Sequence, residues 1–446
     1  MQIVKESFLV RFFLSLILLV QCYVVFFQLF SDMTRLVVLV GLWGILFGLS
    51  LNRFGLKTTL IRAIIYSIPT SFVNIMGTDY GSFPLSYFNL FSFILLLLII
   101  IECIIKNKII VKKMYVAVLL GILIICSIIP TVYSLDLINA AKQFLNIILF
   151  CTLIIIALVT VLPSKTLETL IRDYLRVAAI TCIGLITQFL IYKGTGIIYG
   201  KLDIYGGMRT AYGFLFSDYS FLSLYLSSAA LLTVTLMLYN RKLNLSLIFC
   251  SVLLAYGAIL TTARTGMVAL LCALVIYGII MFVRRPLVTL SIMFVVVFAS
   301  GFYLDYSTHQ RQDVISSSGR LAGYSVGIDV LKNKPLSGTG FGVQSYKEHY
   351  GIAIPHNIII QYSVQGGLLV GLLVTFILVI FLLIVFKNAH AFFLPILTII
   401  IGAQFIPDIF NSRFFPVMLM LSLISIGYPR RQEVNVIENS SALIVK

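Results

Sequence analysis

Residues 358–386 read IIIQYSVQGGLLVGLLVTFILVIFLLIVF, with no charged side chain among them. A membrane-crossing helix needs about 20 predominantly apolar residues, and this stretch exceeds that length. The rest of the chain repeats the pattern. Of 446 residues, 60% are hydrophobic and 11% charged, and the mean hydropathy is +1.08. Soluble domains carry about a quarter charged residues and bury at most about three quarters of their surface on folding. That much apolar area cannot be hidden from water. A cytosolic enzyme and a nucleic-acid-binding protein are both excluded, despite the net charge of +16. The composition predicts an all-α polytopic membrane protein.

The same ruler marks fourteen spans, near residues 8–30, 36–51, 60–76, 86–105, 114–130, 143–162, 174–192, 218–239, 245–262, 266–283, 287–304, 358–386, 391–409 and 414–428. The second, third and last are short, so twelve to fourteen crossings are expected. The first follows Lys5 and Arg11 without a small-residue cleavage site, which reads as a membrane helix rather than a removed signal peptide.

Charge sorts the connecting loops. Alternate loops hold Arg53/Lys57/Arg62, Lys106/Lys108/Lys112/Lys113, Lys165/Arg172/Arg176, Arg241/Lys242, Arg284/Arg285, Lys387 and Arg430/Arg431. With Lys5, Arg11 and Lys446 these are 20 of the 32 basic residues, against six acids; the other 12 face ten acids. Basic loops stay in the cytoplasm, so both termini are expected there. The charge thus reports orientation, not an anionic macromolecular partner.

The chain divides accordingly into N-terminal transmembrane helices (1–192), an outer loop (193–217), further transmembrane helices (218–304), a large outer loop (305–357), C-terminal transmembrane helices (358–428) and a cytoplasmic tail (429–446). Long loops that are not linkers are usually functional. No Walker A sequence and no GxGxxG after a strand occurs on the inner side. All seven cysteines lie in apolar runs without CxxC spacing, against disulfides and zinc.

Four outer features carry candidate chemistry. Arg209 stands in Gly206-Gly207-Met208-Arg209-Thr210, ahead of Phe216-Ser217-Asp218-Tyr219. Arg264 stands in Thr261-Thr262-Ala263-Arg264-Thr265-Gly266, at a helix start where a cation opposes the dipole. Its alternative is snorkelling to lipid headgroups; the flanking Gly and Thr suggest close packing instead. Ser318-Gly319-Arg320 opens an amphipathic stretch to about Lys332, with Leu321, Ile328 and Leu331 on one face. Pro335 and the Gly338-Thr339-Gly340-Phe341-Gly342 turn end it. Pro355-His356-Asn357 precedes the 358–386 span. A helix N-terminus disfavours imidazolium, so His356 is expected to stay neutral and able to act as a general base; the alternative is a helix cap. His309 and His349 read as solvated surface, and no histidine–carboxylate cluster has metal spacing.

Guanidinium forks grip phosphate oxygens bidentately and keep their charge. Three of them with a neutral base, at membrane-edge depth, suit the diphosphate of a lipid-linked sugar. They would stabilise the charge growing on the leaving group without a metal or other cofactor, while His356 takes a proton from the incoming sugar hydroxyl.

The ordered set Thr262-Ala263-Arg264-Thr265-Gly266, Ser318-Gly319-Arg320, Pro335-Leu336-Ser337-Gly338-Thr339-Gly340-Phe341-Gly342, His356-Asn357 with Gln361, and Gly366-Gly367-Leu368 resembles the O-antigen ligase/polymerase superfamily over roughly residues 200–385. That resemblance implies a GT-C-like glycosyltransferase architecture. It further implies an undecaprenyl-diphosphate-linked donor and inversion of the anomeric centre without metal. Arg209, Arg264 and His356 take the catalytic positions it implies, with Arg320, Asn357, Gly340 and Gly342 as substrate-binding candidates. The implied partners are the lipid-linked oligosaccharide, a glycan acceptor, membrane lipid and a chain-length regulator, with no nucleic acid. A polymerase of O-antigen or capsular repeat units is favoured over a ligase that moves finished glycan onto lipid A-core. A flippase or secondary transporter is the reading from another class. It would place ionisable residues at mid-membrane and show internal repeats, and neither is evident here.

Overall fold

Nine described helices are long and apolar enough to cross a membrane, and three shorter apolar helices accompany them. The computed structural model describes residues 8–78, 85–106, 111, 113–205, 209–240, 244–282, 286–310 and 320–426. The first helices are α1 (Phe8–Phe26), α2 (Asp32–Tyr66), α3 (Tyr87–Lys106), α4 (Met114–Val132), α5 (Leu137–Val159) and α6 (Ser164–Thr195). A hairpin of β1 (Lys201–Tyr205) and β2 (Arg209–Phe214) follows. Then come α7 (Tyr219–Asn240), α8 (Leu245–Leu260), α9 (Arg264–Phe282), α10 (Pro286–Gln310), α11 (Arg320–Asn333) and α12 (Val343–Tyr350). The chain closes with α13 (Ile358–Asn388), α14 (His390–Gly402) and α15 (Phe414–Ser425). The protein is a multi-pass membrane protein of helical architecture. Its seven cysteines are free thiols.

Several expected boundaries move. The spans 36–51 and 60–76 fall largely on one helix, α2, broken at Gly55 (φ 76°, ψ 166°). The break is a reversal. Arg62 donates from Nη1 to Ser50 Oγ at 3.3 Å and lies over the Phe54 ring. Twelve residues of straight helix would hold positions 50 and 62 about 18 Å apart. At the far end Arg35 donates to the carbonyls of Met76 and Gly77, so the chain returns to the level at which α2 began. The stretch 193–217, expected as a loop, contains the β1–β2 hairpin.

Arg62 and Arg176, assigned above to basic loops, lie instead in α2 and α6. Both surround the fully buried Asp173: Arg62 Nε donates at 2.7 Å and Arg176 Nη1 at 2.5 Å. The Tyr66 hydroxyl adds a bond at 3.1 Å. This cluster fastens the α2 reversal to α6. Breaking a buried pair leaves an uncompensated charge, at about 3–5 kcal/mol. Asp173→Ala is therefore expected to lower the melting temperature of the detergent-purified protein clearly. An unchanged melting curve would mean that apolar packing alone holds the reversal. Of the other basic loop residues, Lys5, Lys108, Lys112, Arg241, Lys242, Arg284, Arg285, Arg430, Arg431 and Lys446 lie outside the described residues, as does the whole tail 429–446.

α7 forms the hub, packed against α8, α9 and α14. Small residues let membrane helices approach closely, and here they decide the register. A Cβ on Gly266 of α9 would sit 2.2 Å from Ser223 Oγ of α7, and one on Gly402 would meet the Leu224 side chain at 2.4 Å. α7 starts at Tyr219 and reaches the α13–α14 junction at Thr235, whose hydroxyl donates to the Ala391 carbonyl. Its 22 residues span about 33 Å, a bilayer core. The ends of the bundle are thereby distinguished: Lys387 marks one, and the starts of α7 and α9 mark the other.

Candidate functional site

Arg209 opens β2, directly across the hairpin from Tyr205. The hairpin is held against the bundle by α6. Gln188 donates to the carbonyls of Tyr199 (2.7 Å) and Lys201 (3.0 Å) and accepts from the Phe214 amide (2.8 Å). Gly184 leaves room for the Phe214 ring, which a Cβ there would strike at 2.3 Å.

The Arg209 guanidinium lies over two aromatic rings, Tyr205 at 5.2 Å and Tyr219 at 4.8 Å from the centroids. Their hydroxyls are joined at 2.9 Å. Arg209 Nε donates to Thr262 Oγ1 at 3.0 Å, and that hydroxyl donates to the Thr210 carbonyl. Thr262 adopts φ 56°, an uncommon conformation for a β-branched residue that often marks functional turns. Arg209 Nη2 is buried with no hydrogen-bond partner in the protein.

Arg264 begins α9 two residues beyond Thr262, seated by the Gly266 contact with α7. Arg320, Arg209, Tyr303 and Tyr219 all lie within its electrostatic reach. Arg320 begins α11, with its guanidinium 5.9 Å from the Phe405 ring centroid. The three arginines predicted from separate motifs thus converge. Gly206 to Met208, Ser318 and Gly319, from the same motifs, lie outside the described residues.

His356 precedes α13 and is half-buried. Burial first, and the Arg320 charge second, hold its imidazole below the usual histidine range; Asp218 opposes them. The Tyr324 hydroxyl of α11 donates to the His356 carbonyl at 3.2 Å. Asn357 caps the helix, accepting from the amides of Ile359 (3.0 Å) and Ile360 (3.1 Å). The capping role weighed for this dipeptide therefore belongs to Asn357, leaving the imidazole free of it.

The predicted span 358–386 is broken. Gly367 takes φ 80°, ψ 169° inside α13. A Cβ on Gly371 would meet Ser363 Oγ at 1.8 Å, so the leg 358–366 folds sharply against the remainder. A buried amide network holds this leg. Gln143 and Gln365 exchange bonds of 2.8 and 3.2 Å, Gln361 Nε2 donates to Gln365 at 3.2 Å, and Gln361 Oε1 accepts from the Asp408 amide at 2.7 Å. Tyr362 donates to Asp408 at 2.8 Å.

Gly340 and Gly342, expected to bind substrate, have inward roles. Gly340 (φ 86°) abuts Ser134, and its amide donates to the Gln365 carbonyl at 3.0 Å. The Gly342 amide donates to Gln143 Oε1 at 2.9 Å. Those donors are committed within the protein, so the turn positions the leg rather than presenting amides to a ligand. The amphipathic reading of α11 also changes. Its buried face is Gly323, Gly327 and Val330, whereas Leu321 and Ile328 are exposed. Glycine allows the close seat, since a Cβ on Gly327 would strike Pro355 Cγ at 2.8 Å.

Sequence reasoning quoted Tyr219 only within the motif after Arg209, with no role, and passed over the tyrosines at 205, 303 and 324, and Phe405. Among the described residues, no group of three or more His, Cys, Asp or Glu side chains is placed to hold a metal ion.

Residues 249–376 match the family model described as O-Antigen ligase. This segment is similar to the O-antigen ligase family. The match covers under a third of the chain and includes Arg264, Arg320, Gly340, Gly342, His356 and Asn357, but not Arg209. It agrees with the resemblance to the O-antigen ligase/polymerase superfamily read from the motifs. No curated protein matches the chain significantly. Within the matched segment lie the starts of both α9 and α11 and the leg after His356, the three elements that bring two arginines and the histidine together.

Proposed function

We propose that this protein is a surface-polysaccharide polymerase of the O-antigen ligase/polymerase superfamily, working on the outer face of a bacterial inner or plasma membrane with both termini in the cytoplasm. Its donor is a glycan on undecaprenyl diphosphate, and its acceptor is a sugar hydroxyl of a second lipid-linked unit. The observation that carries the reading is the convergence of Arg209, Arg264 and Arg320 beside a histidine with a lowered pKa, with Arg209 Nη2 unpartnered. Clustered guanidinium groups repel one another and are costly to desolvate, which a diphosphate relieves.

In this reading Arg209, Arg264 and Arg320 hold the diphosphate oxygens. The acceptor oxygen bonds to the anomeric carbon from the opposite face. The bond from that carbon to the diphosphate breaks with its electron pair going to the leaving oxygen, where the guanidinium groups stabilise it. The acceptor's proton passes to the neutral His356 imidazole. The three fixed cations supply the charge stabilisation that a metal provides elsewhere, in the glycosyltransferase architecture the family resemblance implies. A chain-length regulator is the protein partner expected of such a polymerase.

A gel of surface glycans from a deletion strain, complemented with the wild-type gene, tests this. Single repeat units on the lipid core, restored to long chains by the gene, are expected. Long carrier-linked chains that never reach their final acceptor would make the protein a ligase. An unchanged profile would point to transport.

A further inference from the structure

A cavity of about 540 Å³ lies beside the α4–α5 connection, the Pro335–Gly342 turn and α12. Its volume falls in the range of about 300–1,000 Å³ that takes a medium-sized ligand. The wall is formed chiefly by Tyr133, Lys334, Thr339, Tyr346, His349 and Tyr350. Tyr346 and Tyr350 have ring centroids 4.7 Å apart at 38°, and His349 packs edge-on against Tyr350 at 4.6 Å. Tyr346 is 3% exposed, and its hydroxyl is buried without a hydrogen-bond partner. A buried polar atom left unsatisfied is uncommon and calls for an explanation.

We infer that this cavity is a carbohydrate subsite, binding internal sugar residues of the glycan whose reacting end lies at His356. The inference rests on the glycan-transfer reading above. The chemistry of the wall supports it. Tyrosine presents a flat apolar face and a hydroxyl that both donates and accepts, the two features of a pyranose ring. Lys334, His349 and Thr339 add polar groups around the rim, and the orphaned Tyr346 hydroxyl gains a sugar hydroxyl as partner.

Position supports it as well. Tyr346 shares a small core with Val330, Ile354 and Val364, so it packs against the segments on either side of His356. From Tyr350 to His356 is six residues, at most about 20 Å of extended chain. A glycan reacting at His356 therefore reaches the cavity with sugars remote from the bond being made. Binding of such remote parts holds the substrate without joining the chemistry. The turn at Gly338–Thr339 thereby acquires two sides, one bonded to the leg after His356 and one lining the subsite.

The test uses full-length protein in nanodiscs, with the oligosaccharide released by mild acid from the source strain's own surface glycan as probe. Saturation-transfer NMR and calorimetry should show binding to wild type and equally to His356→Ala. Tyr350→Ala is expected to weaken it at least tenfold. Tyr346→Phe removes only an unpartnered hydroxyl, so it keeps the fold while weakening binding several-fold and raising KM for the glycan at unchanged kcat. Wild-type binding in both tyrosine variants, or no binding to wild-type protein that still transfers glycan, would overturn the subsite alone. Tyrosine-dependent binding by protein that transfers nothing would uphold the subsite and remove the polymerase reading.

Discussion

Replacing His356 with alanine is expected to lower glycan transfer by about 100- to 10,000-fold, the usual contribution of a positioned general base, with insertion and folding retained. The fold should tolerate the change because the neighbouring Asn357, not the imidazole, caps α13. The pH profile of the wild type supplies an independent check. A base works only when unprotonated, and burial with the Arg320 charge lowers the His356 pKa. The rate should hold as pH falls through the ordinary histidine range and drop only below it. A profile that breaks at or above the usual histidine pKa, or wild-type chain lengths in the alanine variant, would remove the base assignment.

Arg264→Lys is expected to fail almost as completely, by about 100- to 1,000-fold, the range seen when one stabilising donor is lost from a charged transition state. Lysine keeps the charge but loses the planar fork that grips two phosphate oxygens. The substitution also separates function from anchoring, because a lysine snorkels to headgroups as readily as an arginine. Full activity in the lysine variant would mean that charge or lipid contact alone explains this position. The turn that presents Arg264 is independently built, through Thr262 at positive φ and Gly266 against Ser223, so the effect belongs to the side chain.

Hydropathy made the bundle legible because a bilayer demands one property, apolar length, that a linear sequence displays directly. It did not display the reversal at Gly55 or the break at Gly367, since an apolar run looks the same whether straight or folded back. Both glycines hold φ near 80°, a backbone state that composition does not report. The β1–β2 hairpin was hidden in a loop for a related reason: its strands are held by Gln188 of the preceding helix, 13 and 26 positions before the residues it bonds, a spacing no periodicity marks. The face of α11 was misread because Leu321 and Ile328 outweigh Gly323 and Gly327 in any count of apolarity. In close packing the glycines decide which side is buried.

The candidate site was legible in its charges, because arginine and histidine at the ends of apolar runs are conspicuous. Its aromatic frame was not. Tyr205 and Tyr219 are two of 23 tyrosines, and only the fold brings both to the Arg209 guanidinium. Likewise the amide network of Gln143, Gln361 and Gln365 joins residues more than two hundred positions apart, with no spacing to mark them.

The central claim, arginine-assisted transfer of glycan from a lipid diphosphate, is tested most directly by reconstitution. Purified protein in liposomes would be given the undecaprenyl-diphosphate-linked repeat unit, with EDTA present, and products followed by gel and mass spectrometry. The account predicts a ladder of longer carrier-linked glycans with one undecaprenyl diphosphate released per bond made, lost in both the His356→Ala and Arg264→Lys proteins. Unextended units from active-looking, folded wild-type protein, or a ladder that persists in both variants, would contradict it.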